Sequence, residues 1–325
     1  MSSVICELCP KLCLIPEGGA GDCRIRVNLD GKLCATTWGR PSAVHVDPVE
    51  KKPLFHFLPG SSIFSIATAG CNLHCKNCQN WQLSQRGGEA MEEIFRAPPQ
   101  TVVGAALGKG CRSIAYTYSE PIVFYEYVYD TALEAQAQGL KNVLVTAAYI
   151  NEKPLRKLCQ PIDAANVDLK AFDDGFYRSN CSGSLKPVLD ALVVLRQEGV
   201  WVEITNLLIP TMNDDLVMIR RMSKWIVAEL GAGTPLHFSR FHPQYQLRNL
   251  PPTPAETLQR ARREAMEAGL QHVYIGNVFG NDAESTRCPH DDTMLIRRTG
   301  YRIEENNLVD GRCPKCNEPI GGVWE

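Results

Sequence analysis

From residue 63 onward, short β-rich runs alternate with helix-length segments. The β-rich runs cover 63–67, 113–117, 142–146, 164–168, 201–208, 236–241 and 273–275. Helical segments are expected over 122–138, 185–198, 216–230 and 254–268. Within 185–198 the apolar residues Leu185, Val188, Leu189, Leu192 and Leu195 recur at helical spacing. Strands alternating with helices imply βαβ units and a parallel sheet. Six or seven such units predict an α/β fold, a partial (β/α)6-type parallel barrel. Its chemistry gathers at the C-terminal ends of the strands.

The pattern breaks at both ends. Residues 41–62 carry Pro41, Pro48, Pro53, Pro59 and Gly60 and read as a connecting segment. Three regions follow: a Cys-rich N-terminal segment over 1–60, the barrel over 61–280, and a Cys-rich, zinc-ribbon-like tail over 281–325. These two Cys-rich pieces are expected to be small metal-binding appendages.

Composition narrows the function classes. A net charge of −2 on 325 residues leaves no electrostatic footprint for nucleic acid. The start of the chain lacks a basic region followed by an apolar core, so no signal peptide is expected. No apolar run approaches the ~20 residues that span a bilayer. The chain therefore reads as cytoplasmic, with no membrane partner. In that compartment fourteen cysteines argue for metal binding over disulfides.

Cys71, Cys75 and Cys78 follow the first barrel strand at C-x3-C-x2-C spacing. Three soft ligands on one tight loop suit a thiolate-loving metal. A [4Fe–4S] cluster normally takes four cysteines, so three leave one iron open to bind something else. A zinc knuckle usually pairs C-x2-C with a distant second pair, which this spacing fits poorly. Cys6, Cys9, Cys13 and Cys23 form a complete ligand set, for which a structural zinc and an auxiliary iron–sulfur cluster both stand. In the tail, Cys288, Cys313 and Cys316 suggest a zinc ribbon, with His290 or Asp291 as the fourth ligand. Cys34 reads as buried filler, and His56 as a surface histidine or a substrate contact.

Several strand ends carry candidate site residues. Glu120 precedes Pro121, which stops a strand and starts a helix. Its plain role is a carboxylate at a helix N-terminus. Asp168 and Lys170 are two apart on a strand and point the same way, toward a cofactor or into an internal ion pair. Cys181 lies in a polar loop after the fourth strand, a hydrogen-atom donor or substrate contact against an idle thiol. A histidine at the end of the sixth strand is a candidate for cofactor binding; Asn206 and Arg240 are weaker candidates.

At Cys71, Cys75 and Cys78 the chain resembles the radical S-adenosylmethionine (radical SAM) superfamily. The resemblance implies that the open iron chelates the amino and carboxylate groups of S-adenosylmethionine. One electron then splits the sulfonium, and the resulting 5′-deoxyadenosyl radical abstracts a hydrogen atom. Most members carry an aromatic residue before the third cysteine; this chain has Asn77. Ser119-Glu120-Pro121 is similar to the second half of the Gly-Gly-Glu-Pro turn of pyruvate formate-lyase activating enzymes, which receives the cofactor's amino group. The Asp-Thr-Asn-Gly turn of those enzymes reads Val145-Thr146-Ala147-Ala148 here. Asp168-Leu169-Lys170 matches an element that lines their cofactor pocket, and His242 matches their strand-end histidine.

Cys6-x2-Cys9-Pro10, Cys78-Gln79-Asn80-Trp81, Ser239-Arg240-Phe241-His242-Pro243 and Gly321-Gly322-Val323-Trp324 extend the resemblance over nearly the full length, to the AmmeMemoRadiSam-system radical SAM enzymes. That branch is linked by name and genome context with Memo-like and AMMECR-like proteins. It implies a low-potential electron donor such as flavodoxin or ferredoxin, and names no substrate. Two other readings stand beside it: an activase that installs a glycyl radical, and a non-enzymatic metal-binding or electron-transfer module.

Overall fold

The alternating pattern folds as a run of parallel strands joined by helices. The computed structural model describes residues 2–88, 96–278, 280 and 282–325. Two short antiparallel pairs come first: β1 (Val4–Ile5) with β2 (Leu14–Ile15), and β3 (Arg26–Leu29) with β4 (Lys32–Ala35). An eight-stranded sheet follows, built from β5 (Ala43–Pro48), β6 (Ser62–Ala67), β7 (Ser113–Tyr116), β8 (Lys141–Thr146), β9 (Ala164–Asp168), β10 (Trp201–Leu208), β11 (Leu236–Arg240) and β12 (Val273–Gly276). Each strand pairs with its neighbours in chain order. β6 to β12 are parallel, and β5 runs antiparallel along β6. Helices α1 (Trp81–Ser84), α2 (Pro99–Gly108), α3 (Tyr125–Ala137), α4 (Glu152–Cys159), α5 (Asp174–Phe176), α6 (Lys186–Gln197), α7 (Leu216–Leu230) and α8 (Ala255–Glu267) lie between the strands. The tail is an antiparallel sheet of β13 (Thr286–Arg287), β14 (Met294–Thr299) and β15 (Arg302–Asn306). The boundary expected after residue 280 falls beside residues 279 and 281, outside those described.

Parallel strands in strict chain order need crossovers of one hand, so the sheet curls around its inner face. This is the expected partial barrel. Helix limits follow local signals: Asp215 caps α7 by accepting from the Met218 amide at 2.9 Å, as a short acidic side chain does at an N-terminus.

Two expectations change. Residues 41–62 are not wholly a connector, because 43–48 forms edge strand β5. Its proline, Pro48, lies at the end of an edge strand, where a missing N–H is tolerated. His56 is not a surface residue; it is fully buried. Its Nδ1–H donates to the Gly321 carbonyl at 2.7 Å, which fixes the tautomer. Nε2 therefore accepts from the Tyr274 hydroxyl at 2.6 Å. The tail is thus tied to the barrel, and Leu58 and Val323 add backbone bonds across the same seam.

The same region buries Glu203, which accepts from the amides of Phe55 and His56 at 2.9 and 2.8 Å and pairs with His237 at 2.7 Å. Burial works against its charge, yet His237, His56 and the Phe55 amide hold its carboxyl at about 2. Burial pushes His56 down to about 4. An unfolded histidine takes a proton near pH 6.5, whereas folded His56 refuses it until about pH 4. The unfolded state then binds more protons in that window, so stability falls on acidification. The expected loss is on the order of 3 kcal/mol between pH 6.5 and 4. Chemical denaturation at stepped pH checks it: His56→Gln should flatten the fall, and an unchanged slope would refute the assignment.

Candidate active site and thiol clusters

The loop after β6 carries Cys71, Cys75 and Cys78 and is held from several sides. The Asn72 side-chain amide donates to the Tyr149 carbonyl at 2.7 Å. The His74 and Lys76 amides donate to the Cys181 and Asn180 carbonyls at 2.9 and 3.0 Å. The Leu73 amide points at Cys71 Sγ at 3.3 Å, and Cys78 Sγ meets the Ser84 hydroxyl at 3.2 Å. Such contacts orient sulfur ligands and tune what they hold.

All three thiols line one cavity of about 810 Å³ at the C-terminal ends of the strands. Ser119, Glu120, Asp168 and Lys170 line it too. Lys170 Nζ donates to Asp168 Oδ2 at 2.6 Å, so the two act as a pair at the cavity wall. The Ser119 hydroxyl is buried and has no hydrogen-bond partner. Glu120 accepts from the Thr146 hydroxyl at 2.5 Å, from the Ala147 amide at 2.9 Å and from the Ile122 amide at 3.2 Å. Burial still pushes its carboxyl above the ordinary range, against those three bonds. Glu120 therefore also clamps the end of β8, and Thr146, the residue kept from the Asp-Thr-Asn-Gly pattern, serves that clamp. The Asn77 Oδ1 accepts from Asn180 at 2.8 Å.

Three candidates fall elsewhere. His242 is exposed and does not line the cavity. β11 ends at Arg240, and Phe241 turns inward, with its amide on the Thr253 hydroxyl, which leaves His242 toward solvent. His237, earlier on that strand, reaches the cavity instead. Asn206 is buried and spends its amide on the Leu169 carbonyl at 2.6 Å, while its strand neighbours Thr205 and Leu207 line the cavity. Side chains alternate along a strand, so a choice off by one residue selects the wrong face. Cys181 is fully buried in the main core and is absent from the cavity wall. Its carbonyl accepts from the His74 amide and its thiol lies beside that of Cys75, so it underpins the loop from the core side.

The structure also brings in residues the pattern did not single out. Lys52 lines the cavity and donates to Asp47 at 2.7 Å and to the Tyr118 hydroxyl at 3.2 Å. Burial opposes the Asp47 charge, yet Lys51, Lys52 and Tyr118 hold that carboxyl below its usual range. The adjacent lysines Lys51 and Lys52 were a visible signal, but their placement depends on β5.

In the tail, Cys288, Cys313, Cys316 and Asp291 offer donor atoms that all lie within 4.8 Å of one another. Among the described residues no other group of three or more Cys, His, Asp or Glu does so. His290 is exposed and is not one of the four, so the fourth donor is Asp291. Four donors so close match one tetrahedral ion such as zinc. Asp291→Ala removes a donor itself and should lower zinc retention more than about 100-fold under chelator challenge, whereas His290→Ala should not. Metal analysis after dialysis reads both; a loss confined to His290→Ala would reverse the assignment. The thiols of Cys6, Cys9, Cys13 and Cys23 line a separate small cavity.

Comparison with known proteins agrees with this arrangement. The family model of the radical SAM superfamily matches residues 65–222. The chain is 43% identical over 321 residues to an uncharacterised protein of Methanocaldococcus jannaschii, covering 98% of this chain and 95% of that one. It is 22% identical to the pyruvate formate-lyase-activating enzyme of Clostridium pasteurianum, over 63% of this chain and 88% of that one. In fold it resembles Streptococcus suis SuiB bound to S-adenosylmethionine, with a TM-score of 0.51 at 13% identity, over 70% of this chain and 53% of that one. The chain belongs to the radical SAM superfamily and is related to the pyruvate formate-lyase-activating enzyme. Membership implies a [4Fe–4S] cluster and S-adenosylmethionine. No helix among the described residues is long and apolar enough to cross a membrane.

Proposed function

We propose that this protein is a radical SAM enzyme of the AmmeMemoRadiSam branch, acting on a substrate not yet assigned. One observation carries the reading: Cys71, Cys75 and Cys78 share a single cavity with the unpaired Ser119 hydroxyl, Glu120 and the Asp168–Lys170 pair. The residues fit the implied groups, because three thiols and no fourth line the cavity, and a buried hydroxyl there lacks a partner. When bound, the cluster supplies the electron that cleaves S-adenosylmethionine to methionine and a 5′-deoxyadenosyl radical. The protein's own work is placement and exclusion of water. The three thiolates hold the cluster, and the Leu73 amide and Ser84 hydroxyl orient two of them. Ser119 offers its hydroxyl, and Glu120 its buried carboxylate, to the polar end of the cofactor. Asn77, occupied by Asn180, offers no ring for stacking on adenine. A cavity of about 810 Å³ sits toward the upper end of ordinary ligand sites, which leaves room beside the cofactor for a further molecule.

A flavodoxin or ferredoxin in the cytoplasm is the proposed electron source, and Memo-like and AMMECR-like proteins are the proposed partners. The second reading, a glycyl-radical activase, draws on two relatives whose names are activating enzymes, that of Clostridium pasteurianum and the (2S)-3-sulfopropanediol dehydratase activating enzyme of Klebsiella oxytoca. The deciding assay is anaerobic incubation of reconstituted, dithionite-reduced protein with S-adenosylmethionine. Methionine and 5′-deoxyadenosine should form, slowly and without substrate. Protein that is cluster-loaded yet neither binds nor cleaves the cofactor would leave only a metal-binding module. A glycyl-radical signal raised in a partner enzyme would favour the activase.

A further inference from the structure

We propose that Cys6, Cys9, Cys13 and Cys23 hold a second [4Fe–4S] cluster, closed by four thiolates, that passes electrons to the loop of Cys71, Cys75 and Cys78. The four thiols line one cavity of about 20 Å³, room enough for a water molecule. A single zinc with bonds of about 2.3 Å draws its sulfurs to about 3.8 Å of each other and leaves no such space. The tail has that tight geometry: its three thiols and Asp291 lie within 4.8 Å, whereas among the described residues no three N-terminal thiols do. A cubane seats each thiolate on a different iron and so spreads the sulfurs wider.

The cavity also presents donors to sulfur. Arg26 is 7% exposed, lines the cavity, and has a buried Nε without a hydrogen-bond partner. Its terminal nitrogens are spent on Glu126 at 2.7 and 2.8 Å, which holds the guanidinium in place. The Asp22 amide points at Cys13 Sγ at 3.4 Å. Hydrogen bonds and positive charge at the sulfurs are what tune an iron–sulfur cluster.

Position gives the site its role. Asn72 lines the N-terminal cavity, and Cys71, the residue before it, lines the barrel cavity. His74 of the same loop bonds Asp22 of the N-terminal segment at 2.9 Å. With four thiolates no iron is open, so the second cluster binds no cofactor and its chemistry is one-electron transfer. A low-potential one-electron carrier reduces it by one electron. That electron then moves to the barrel cluster, the N-terminal cluster returns to its oxidised form, and no bond forms or breaks in either transfer.

The relay rests on the radical SAM reading, whereas the identity of the cluster does not. Full-length protein with Cys71, Cys75 and Cys78 all changed to alanine should keep about four irons and four sulfides per chain. Its reduced electron paramagnetic resonance signal should not change when S-adenosylmethionine is added. Zinc in place of iron and sulfide overturns the cluster. Should that variant fail to fold, the wild type decides: about eight irons and one zinc per chain support the cluster, and about four irons with two zincs refute it. For the relay, Cys9→Ala should slow flavodoxin-driven cleavage of S-adenosylmethionine at least tenfold, and an unchanged rate refutes it. If wild-type protein cleaves none at all, the radical SAM reading fails, while the iron count still decides the cluster.

Discussion

Changing Cys71 or Cys78 to alanine is expected to empty the barrel loop of iron and to abolish cleavage of S-adenosylmethionine. Three thiols line that cavity. No fourth cysteine lines its wall, and Cys181, the nearest reserve in the core, lies outside it. Disturbing a supporting partner of a metal ligand typically costs 10–100-fold. Removing a ligand itself should exceed that, so the rate should drop more than about a hundredfold. Iron analysis, the visible spectrum and the yield of 5′-deoxyadenosine measure the effect together. Wild-type iron and turnover in Cys71→Ala would dismiss the loop as the cluster site.

Gly70→Ala should be nearly as damaging, although Gly70 has no side chain to offer a ligand. Its φ of +97° lies where a side chain is strained. An added Cβ would stand 2.1 Å from Ile25 Cγ1 and 2.9 Å from the Cys23 carbonyl oxygen. Ile25 is a fully buried core residue, and the carbonyl is backbone, so neither moves cheaply. Overpacking and backbone strain each cost about 1–3 kcal/mol, so a loss on the order of 3 kcal/mol or more is expected. The damage reaches both thiol sets, because Gly70 precedes Cys71 and presses on Cys23. Thermal denaturation and iron content should both fall. Adding Ile25→Ala relieves only the side-chain clash, so it should restore little, and wild-type behaviour of Gly70→Ala alone would refute the packing argument.

The sequence by itself determined what depends on near neighbours. Three thiols within eight residues share a loop wherever the chain goes, so Cys71, Cys75 and Cys78 were legible as one site. Asp168 and Lys170 were legible as a pair, because residues two apart stay within side-chain reach of each other even though β9 stops at Asp168. Alternating strands and helices set the parallel sheet, since each element's periodicity is local. The tertiary structure decided what depends on distant partners or on parity. His237 rather than His242 reaches the cavity because Phe241 turns into the core after β11 ends. Thr205 and Leu207 rather than Asn206 face inward because register selects one face of β10. Cys181 has polar neighbours in sequence but is buried where its carbonyl meets the His74 amide, and His56 is buried by a carbonyl 265 residues away. Asp291 joins the tail thiols in place of its neighbour His290 because the fold of a turn, and not ligand preference, sets which side chain faces them. Contacts between residues far apart in the chain carry no signature in the local pattern, so only packing could settle them.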